Sequence, residues 1–334
     1  MSTSGSSSLS ETCSLDSAYW RTVHIHGREF QDYSVERVIY PVPIDESTEK
    51  FKIEKIEEKF VTPAATDTPK DEADRLNRQH AVFRRLFDNR LIFPPVEDPK
   101  RILDCGYGSA AWAIEAAEKY PEAEVIGVDI SPHLKPDETP GNLWCQVDDL
   151  NEPFNFRPGE FDFVHSRLVA PGINRTRWPS YLRDCFSVLK SGGWLQMVEI
   201  YFNVQSDNGT LTENHGLRRW SKTYLEIFEN DKDLRVPTRL KPMMEAAGFE
   251  QVQSIMIPLP LNGWSRNERD RAIGNMNSDN AKHMINAMAL WPFTERGEMS
   301  LESFYVMIAR ARTEIDDLNL RPYFPLYVVI GKKP

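Results

Sequence analysis

The segment Asp104-Cys105-Gly106-Tyr107-Gly108-Ser109-Ala110, followed about 20 residues later by Asp129, is the sharpest chemical signal in the chain. Glycines at 106 and 108 allow a tight turn and a close backbone approach to a ligand, where a side chain would intrude. A carboxylate at the Asp129 spacing can chelate the diol of a ribose. Together they point to a ligand that contains adenosine. Pyrophosphate loops favour a third glycine, and that place is held by Ala111. Asp104, just before the turn, would repel pyrophosphate and suits an ammonium group.

These residues need strand ends and helix starts to hold them. RILDC (101–105) is a short apolar run before the glycine turn, and AAWAIEAAEKY is a helix closed by Pro121. AEVIGVDI (123–130), NLWCQVDDL (142–150), EFDFVHSRL (160–168) and WLQMVEIYF (194–202) follow as strands. WPSYLRDCFSVLK (178–190) lies between the last two as a helix stopped by SGG. This alternation predicts right-handed crossovers and a parallel sheet. RLKPMMEAAGFEQVQSIMIPLP (239–260) adds a helix and a strand, and RPYFPLYVVIGKKP (321–334) a terminal strand. Upstream, Leu76, Val82, Phe83, Leu86 and Leu91 make one apolar helix face, ended by FPP.

The 334 residues are 40% hydrophobic and 27% charged, which excludes whole-chain disorder. With 40 basic and 50 acidic residues the net charge is −10, so nucleic acid and anionic membranes are poor partners. Cysteines 13, 105, 145 and 185 form no metal-ligand spacing, and no metal is expected. No stretch reaches the roughly 18 apolar residues of a membrane span. The Ser-rich start lacks the basic and apolar regions of a secretory signal. These features describe a soluble cytoplasmic protein, or a nuclear one if its role is regulatory. The divisions read as a disordered tail at 1–18, an N-terminal cap segment and helix at 19–95, and a core at 96–334. Within 19–95, FKIEKIEEKF has a helical start. Helical insertions at 203–238 and 261–320 read as a lid over one end of the sheet.

LDCGYGSAAWAIEAAEKYPEAEVIGVDISP resembles motifs I and post-I of class I S-adenosylmethionine-dependent methyltransferases. More narrowly, HGREF…YPVPIDESTE and FDFVHSRLVAPGINRTRWPSYLRDCFSVLKSGGWLQMVEI resemble the fungal LaeA-like/UMTA (TAM-domain) group, from Tyr19 to the C-terminus. Tyr107, Ser109 and Ala110 depart from the commoner D-x-G-T-G-T-G loop. The resemblance implies a Rossmann-like seven-stranded, mostly parallel α/β sheet and S-adenosyl-L-methionine as cofactor. It also implies roles for single residues. Asp104, Gly106 and Gly108 would line the methionine and ribose side, Asp129 the ribose, and Ile130 the adenine. Asp148 or Asp149 would accept from the adenine amino group, with Leu150 flanking the ring. His165, Ser166 and Arg167 would face the donor methyl or the acceptor. His26 and Arg28 would close over the methionine carboxylate, where an Arg fork is well suited.

Each of these has a plainer counterpart. Asp148-Asp149 can merely open a polar turn, His165 can be a satisfied strand-end histidine, and Arg28 can pair with Glu29 or Asp32. The tryptophans at 178, 194, 220, 264 and 291 and the MMEAAGFE and MINAMALW methionines read first as core. Methyl transfer from a sulfonium needs positioning and desolvation more than covalent help. If a base is used, His165 is the first candidate, followed by His215 and Glu199. The first functional reading is a small-molecule O- or N-methyltransferase of fungal secondary metabolism. The second is a LaeA-like regulator acting through protein partners in the nucleus. A nucleotide-dependent dehydrogenase is disfavoured by the missing third glycine.

Overall fold

Residues 17–45 and 72–334 are described by the computed structural model. Cys13, the FKIEKIEEKF segment and nearly all of the Ser-rich tail lie outside the described residues.

The apolar runs become β3 (Arg101–Cys105), β4 (Glu124–Asp129), β5 (Leu143–Val147), β6 (Phe161–Arg167), β7 (Leu189–Ile200), β8 (Glu250–Pro260) and β9 (Tyr323–Lys332). They pair in one sheet of order β5-β4-β3-β6-β7-β9-β8. The β3, β4, β5, β6 and β7 pairs are parallel, and β9 runs antiparallel to both β7 and β8. This is the Rossmann-like, mostly parallel seven-stranded arrangement that the motifs imply. Chain direction reverses its spread at β3, which has β4 on one side and β6 on the other. Open α/β sheets bind ligands outside the carboxyl ends of strands at such a switch point.

Both faces of the sheet are covered. On one side α3 (Ala111–Lys119) sets Trp112, Ala113 and Ala116 against Ile102, Val125 and Phe163. On the other, α4 (Trp178–Val188) and α6 (Leu240–Ala246) bury Tyr181, Leu182, Cys185 and Met244 against Leu103, Val164 and Leu195. One expected boundary shifts. The Ser191-Gly192-Gly193 run does not separate α4 from its strand, because β7 already pairs at Leu189 with Phe161 and re-pairs at Trp194 with Phe163. The glycines absorb this register shift: Gly192 has φ +81°, and a Cβ on Gly193 would lie 2.9 Å from the Lys190 carbonyl.

A small hairpin, β1 (Thr22–Ile25) with β2 (Arg28–Gln31), leads into α1 (Asp32–Glu36). The long amphipathic helix is α2 (Glu72–Leu86). Between the late strands stand α5 (Gly216–Ile227), α7 (Glu268–Ala287) and α8 (Leu301–Asp316). They build a third core with Trp220, Tyr224, Phe293 and Phe304 packed on Phe324 and Leu326 of β9. Trp220 stacks on Tyr224 at 4.9 Å and donates to the Ile285 carbonyl at 2.8 Å. Trp178, Trp194 and Trp291 are also buried, as are Met244, Met284 and Met288.

No side chain at the start of α5 caps it, and the carboxylate of Glu314 on α8 does so instead. It accepts from the Gly216 and Leu217 N–H groups at 2.7 and 2.8 Å. Glu314→Ala leaves both donors without this partner, and should lower unfolding free energy by about 1–2 kcal/mol in urea titrations. Glu314→Gln, which keeps one acceptor, should recover part of that loss.

Candidate active site

The loops after β3, β4, β5 and β6 open onto a cleft at the carboxyl edge of the sheet. Gly106–Ser109, Asp129–Ser131, Asp149–Asn151 and Arg167–Val169 line it from the sheet side. Gln31, Ser34, Ile39, Tyr40, Val42 and Ile44 face them from the N-terminal segment, with Leu76 and Gln79 from α2. The described residues of 203–238 and 261–320 contribute nothing to this lining. The cover expected from those insertions is supplied by the N-terminal segment and α2.

Asp129 ties the first two loops together. Its Oδ2 accepts the Gly108 N–H at 2.8 Å and its Oδ1 the Ser131 N–H at 2.9 Å. Burial and the nearby Asp104 raise its pKa, while these N–H groups pull it back down. The turn itself is tight. Gly106 has φ +79°, and a Cβ there would stand 2.7 Å from Val169 Cγ1. Ala110 takes the left-handed conformation at φ 60° although it has a side chain.

At the far end Asp149 lines the cleft and Asp148 does not. The Asp149 Oδ1 accepts from the backbone N–H and the side-chain amide of Asn151, at 2.8 and 2.9 Å. Asn151 in turn donates to the Gly172 carbonyl and accepts from the Asn174 N–H. The ammonium of Lys232, in the connection after α5, donates to that same carbonyl at 2.8 Å and to Asn174 Oδ1 at 2.7 Å. Asp148 instead accepts from the Asp149 N–H and from Asn155.

The N-terminal segment is fastened by Gln31, which donates to the Ile130 and Tyr19 carbonyls and accepts from Ser34. Tyr40, Glu72, Arg75 and Gln79 form a buried polar chain beside it. Arg75 grips Glu72 with two hydrogen bonds of 2.8 and 2.6 Å and donates to Gln79 Oε1 at 2.8 Å. Tyr40 donates to Glu72 at 3.0 Å. Gln79 was not among the residues singled out from sequence. Its signal was present, because it sits between Leu76 and Phe83 on the apolar stripe of α2, a place where a polar side chain needs a reason.

Several expected positions differ from what the motifs suggest. Of His165, Ser166 and Arg167, only Arg167 lines the cleft. His165 is fully buried behind the glycine turn, stacked on Trp112 at 3.8 Å, with Nδ1 2.8 Å from Asp104 Oδ1. Burial lowers its pKa against the pull of Asp104. It therefore does not line the cleft, and neither does Asp104, whose carboxylate is turned to this imidazole. Ser166 bonds to the Tyr181 hydroxyl. Arg28 pairs with Asp45 at 2.8 Å and His26 with Glu295 at 2.7 Å, so neither lines the cleft. His215 accepts from the Thr212 N–H at 3.0 Å, away from the cleft. Glu199 is buried, with its two oxygens taken by the Val169 and Ala170 N–H groups at 2.9 and 3.3 Å.

What remains in the cleft fits a donor with a diol, an adenine and a polar tail. Each oxygen of Asp129 has spare lone pairs, and Ser131 Oγ and Gln79 Nε2 are buried without a hydrogen-bond partner among the described residues. Ile130 and Leu150 supply apolar walls. A model of the methyltransferase domain matches residues 78–254, just over half of the chain. The chain belongs to this methyltransferase family. Its cofactor is S-adenosyl-L-methionine. The chain is 27% identical to methyltransferase pytC of Aspergillus terreus, over 97% of its own length and 92% of that protein. It is 30% identical to the secondary metabolism regulator laeA of Monascus pilosus, over 79% and 72% of the two chains. Phosphoethanolamine N-methyltransferase 2 of Haemonchus contortus, solved with S-adenosyl-L-methionine, is similar at TM-score 0.45 and 16% identity, over 94% and 71%.

Two measurements test this geometry. Burial pushes the Glu199 carboxyl up to about 8, against the pull of its two N–H donors, whereas an unfolded Glu titrates near about 4.3. The native state thus binds more protons between these values, so this group's contribution is full below about pH 4.3 and is lost as pH rises to about 8. Urea unfolding of Glu199→Gln across pH 5–8 should show a flatter slope than the unsubstituted protein. Ala110→Gly should instead raise stability by about 0.5–1 kcal/mol. Glycine holds the same left-handed backbone without the cost of about 1–2 kcal/mol that a Cβ brings there, against about 0.4–1 kcal/mol of added chain entropy.

Proposed function

We propose that this methyltransferase acts on a small molecule of fungal secondary metabolism, by O- or N-methylation, in the cytoplasm. The observation that carries this reading is the composition of the cleft. Beyond the polar residues at its donor end, its walls are Ile39, Val42, Ile44, Leu168, Val169 and Ile173. Such walls exclude water and suit an apolar acceptor.

In this reading Asp129 holds the ribose hydroxyls, Asp149 accepts from the adenine amino group, and Ile130 and Leu150 flank the ring. Gly106 and Gly108 keep the methionine side free of side chains. The bound donor supplies a methyl group already activated on sulfur. The chain's own task is orientation, with the acceptor held in line and dry. No imidazole lines the cleft among the described residues, so the reading assigns turnover to positioning rather than to His165 as base.

The second reading, a regulator working with protein partners in the nucleus, is favoured by the similarity to laeA over most of both chains. The two share the donor site and differ in where a labelled methyl group goes. Incubated with labelled donor and extract from its source, the protein should label a small molecule; label confined to protein favours the regulator.

For the donor site, Asp129→Asn presents an amide nitrogen to one of two backbone N–H groups. Calorimetry should show S-adenosylhomocysteine affinity falling by at least tenfold, with NAD not bound by either form. An unchanged affinity would remove Asp129 from the site.

A further inference from the structure

Ile39 enters the cleft from the N-terminal segment between two residues of uncommon backbone. Val38 has φ 57° and Tyr40 φ 50°, both in the left-handed region. A β-branched residue is an outlier there, because its Cβ crowds the following carbonyl. Such conformations persist only where the surroundings over-determine them, and they cluster at ligand clamps. Both ends of this bracket are held. The Ile39 N–H donates to the Ser34 carbonyl at 2.8 Å, and the Val42 N–H to the Tyr40 carbonyl at 2.9 Å. The Tyr40 hydroxyl donates to Glu72 at 3.0 Å and accepts from Arg75 at 3.1 Å, which ties the segment to α2.

The side chain presented in this way meets the opposite wall. Ile39 and Gly172 both line the cleft, and a Cβ built on Gly172 would lie 3.8 Å from Ile39 Cγ2. Its other near neighbour would be the Val169 carbonyl at 3.4 Å, so an alanine methyl makes ordinary contacts there. Gly172 is outside the left-handed region, and its backbone does not demand glycine. Ile39 thus closes the cleft from the N-terminal segment onto bare backbone of the loop after β6. Val42 and Ile173 beside this contact are apolar as well.

We propose that Ile39 is a specificity-determining residue, which by closing on Gly172 bounds the acceptor space and sets the largest neutral, apolar acceptor the cleft admits. A single methylene in an apolar pocket shifts discrimination by roughly tenfold or more, so a whole isoleucine side chain at this contact is a strong size filter. The assignment rests on reading the apolar walls as the acceptor end.

The test titrates phenol and 1-naphthol, neutral hydroxyl compounds of two sizes, into protein saturated with S-adenosylhomocysteine. Calorimetry reads the ratio of naphthol to phenol affinity. Ile39→Ala should raise that ratio at least about tenfold and leave S-adenosylhomocysteine affinity within about twofold. Adding Gly172→Ala, whose methyl points into the vacated volume, should take back part of the gain. If Ile39→Ala does not fold, Ile39→Val decides the matter by a smaller rise of the same sign. A ratio within about twofold of the unsubstituted value in the folded variants, with both probes bound, overturns the size filter and leaves the apolar acceptor reading standing. Failure of every form to bind either probe overturns that reading, and the filter with it.

Discussion

Carboxylates at the strand ends hold the backbone of the loops that form the cleft, and the rest of the site depends on this. Asp129 after β4 takes N–H groups from two different loops, Asp149 after β5 takes one from Asn151, and Glu199 on β7 takes two from Val169–Ala170. Loop amides at a sheet's carboxyl edge have no strand to pair with, and buried donors must find acceptors. Here side chains of the sheet supply them. The loops are shaped by the same carboxylates that, at Asp129 and Asp149, also face the cleft.

The arrangement segregates charge. The acids stand at the ends of β3, β4 and β5 and on β7, while Arg167 stands on β6 between them, where Asp104 and Glu115 favour its charge against the cost of burial. The aromatic plate of Trp112 lies against His165, and Phe83 lies beneath Arg167. His165 and Arg167 are thus each backed by a ring that does not compete for their hydrogen bonds. The chain's acidic balance of −10 does not by itself describe the cleft, which is mixed.

Much of the sheet was legible because its signals are local. Apolar runs of five to seven residues between a glycine turn and a helix pattern mark β3, β4 and β6 without any tertiary knowledge. The limit shows at Ser191–Gly193, where glycines that look like a stop are a register adjustment inside β7. Only the pairing with β6 reveals this. In the cleft, legibility fell with distance along the chain. Gly106, Gly108 and Asp129 lie near one another in sequence and in space. Arg28 and His26 sat in a motif-like segment, yet their partners, Asp45 and Glu295, are set by tertiary packing. His165 shares its face of β6 with cleft-lining Arg167, two residues on, but lies deeper in the sheet, where Trp112 covers it. Gln79 was passed over because a helix face reads as core unless its polar interruption is questioned.

Lys232 carries one more consequence. Its ammonium, nearly inaccessible in the connection that follows α5, is joined through Gly172, Asn174 and Asn151 to Asp149. The segment between β7 and α6 is therefore no interchangeable appendage. Grafting the corresponding stretch from a relative would change no residue of the cleft lining, yet unless a buried cation came with it, it would slacken the wall at Asp149. In this chain Lys232 and its two acceptors, the Gly172 carbonyl and Asn174 Oδ1, work as one unit across the two segments.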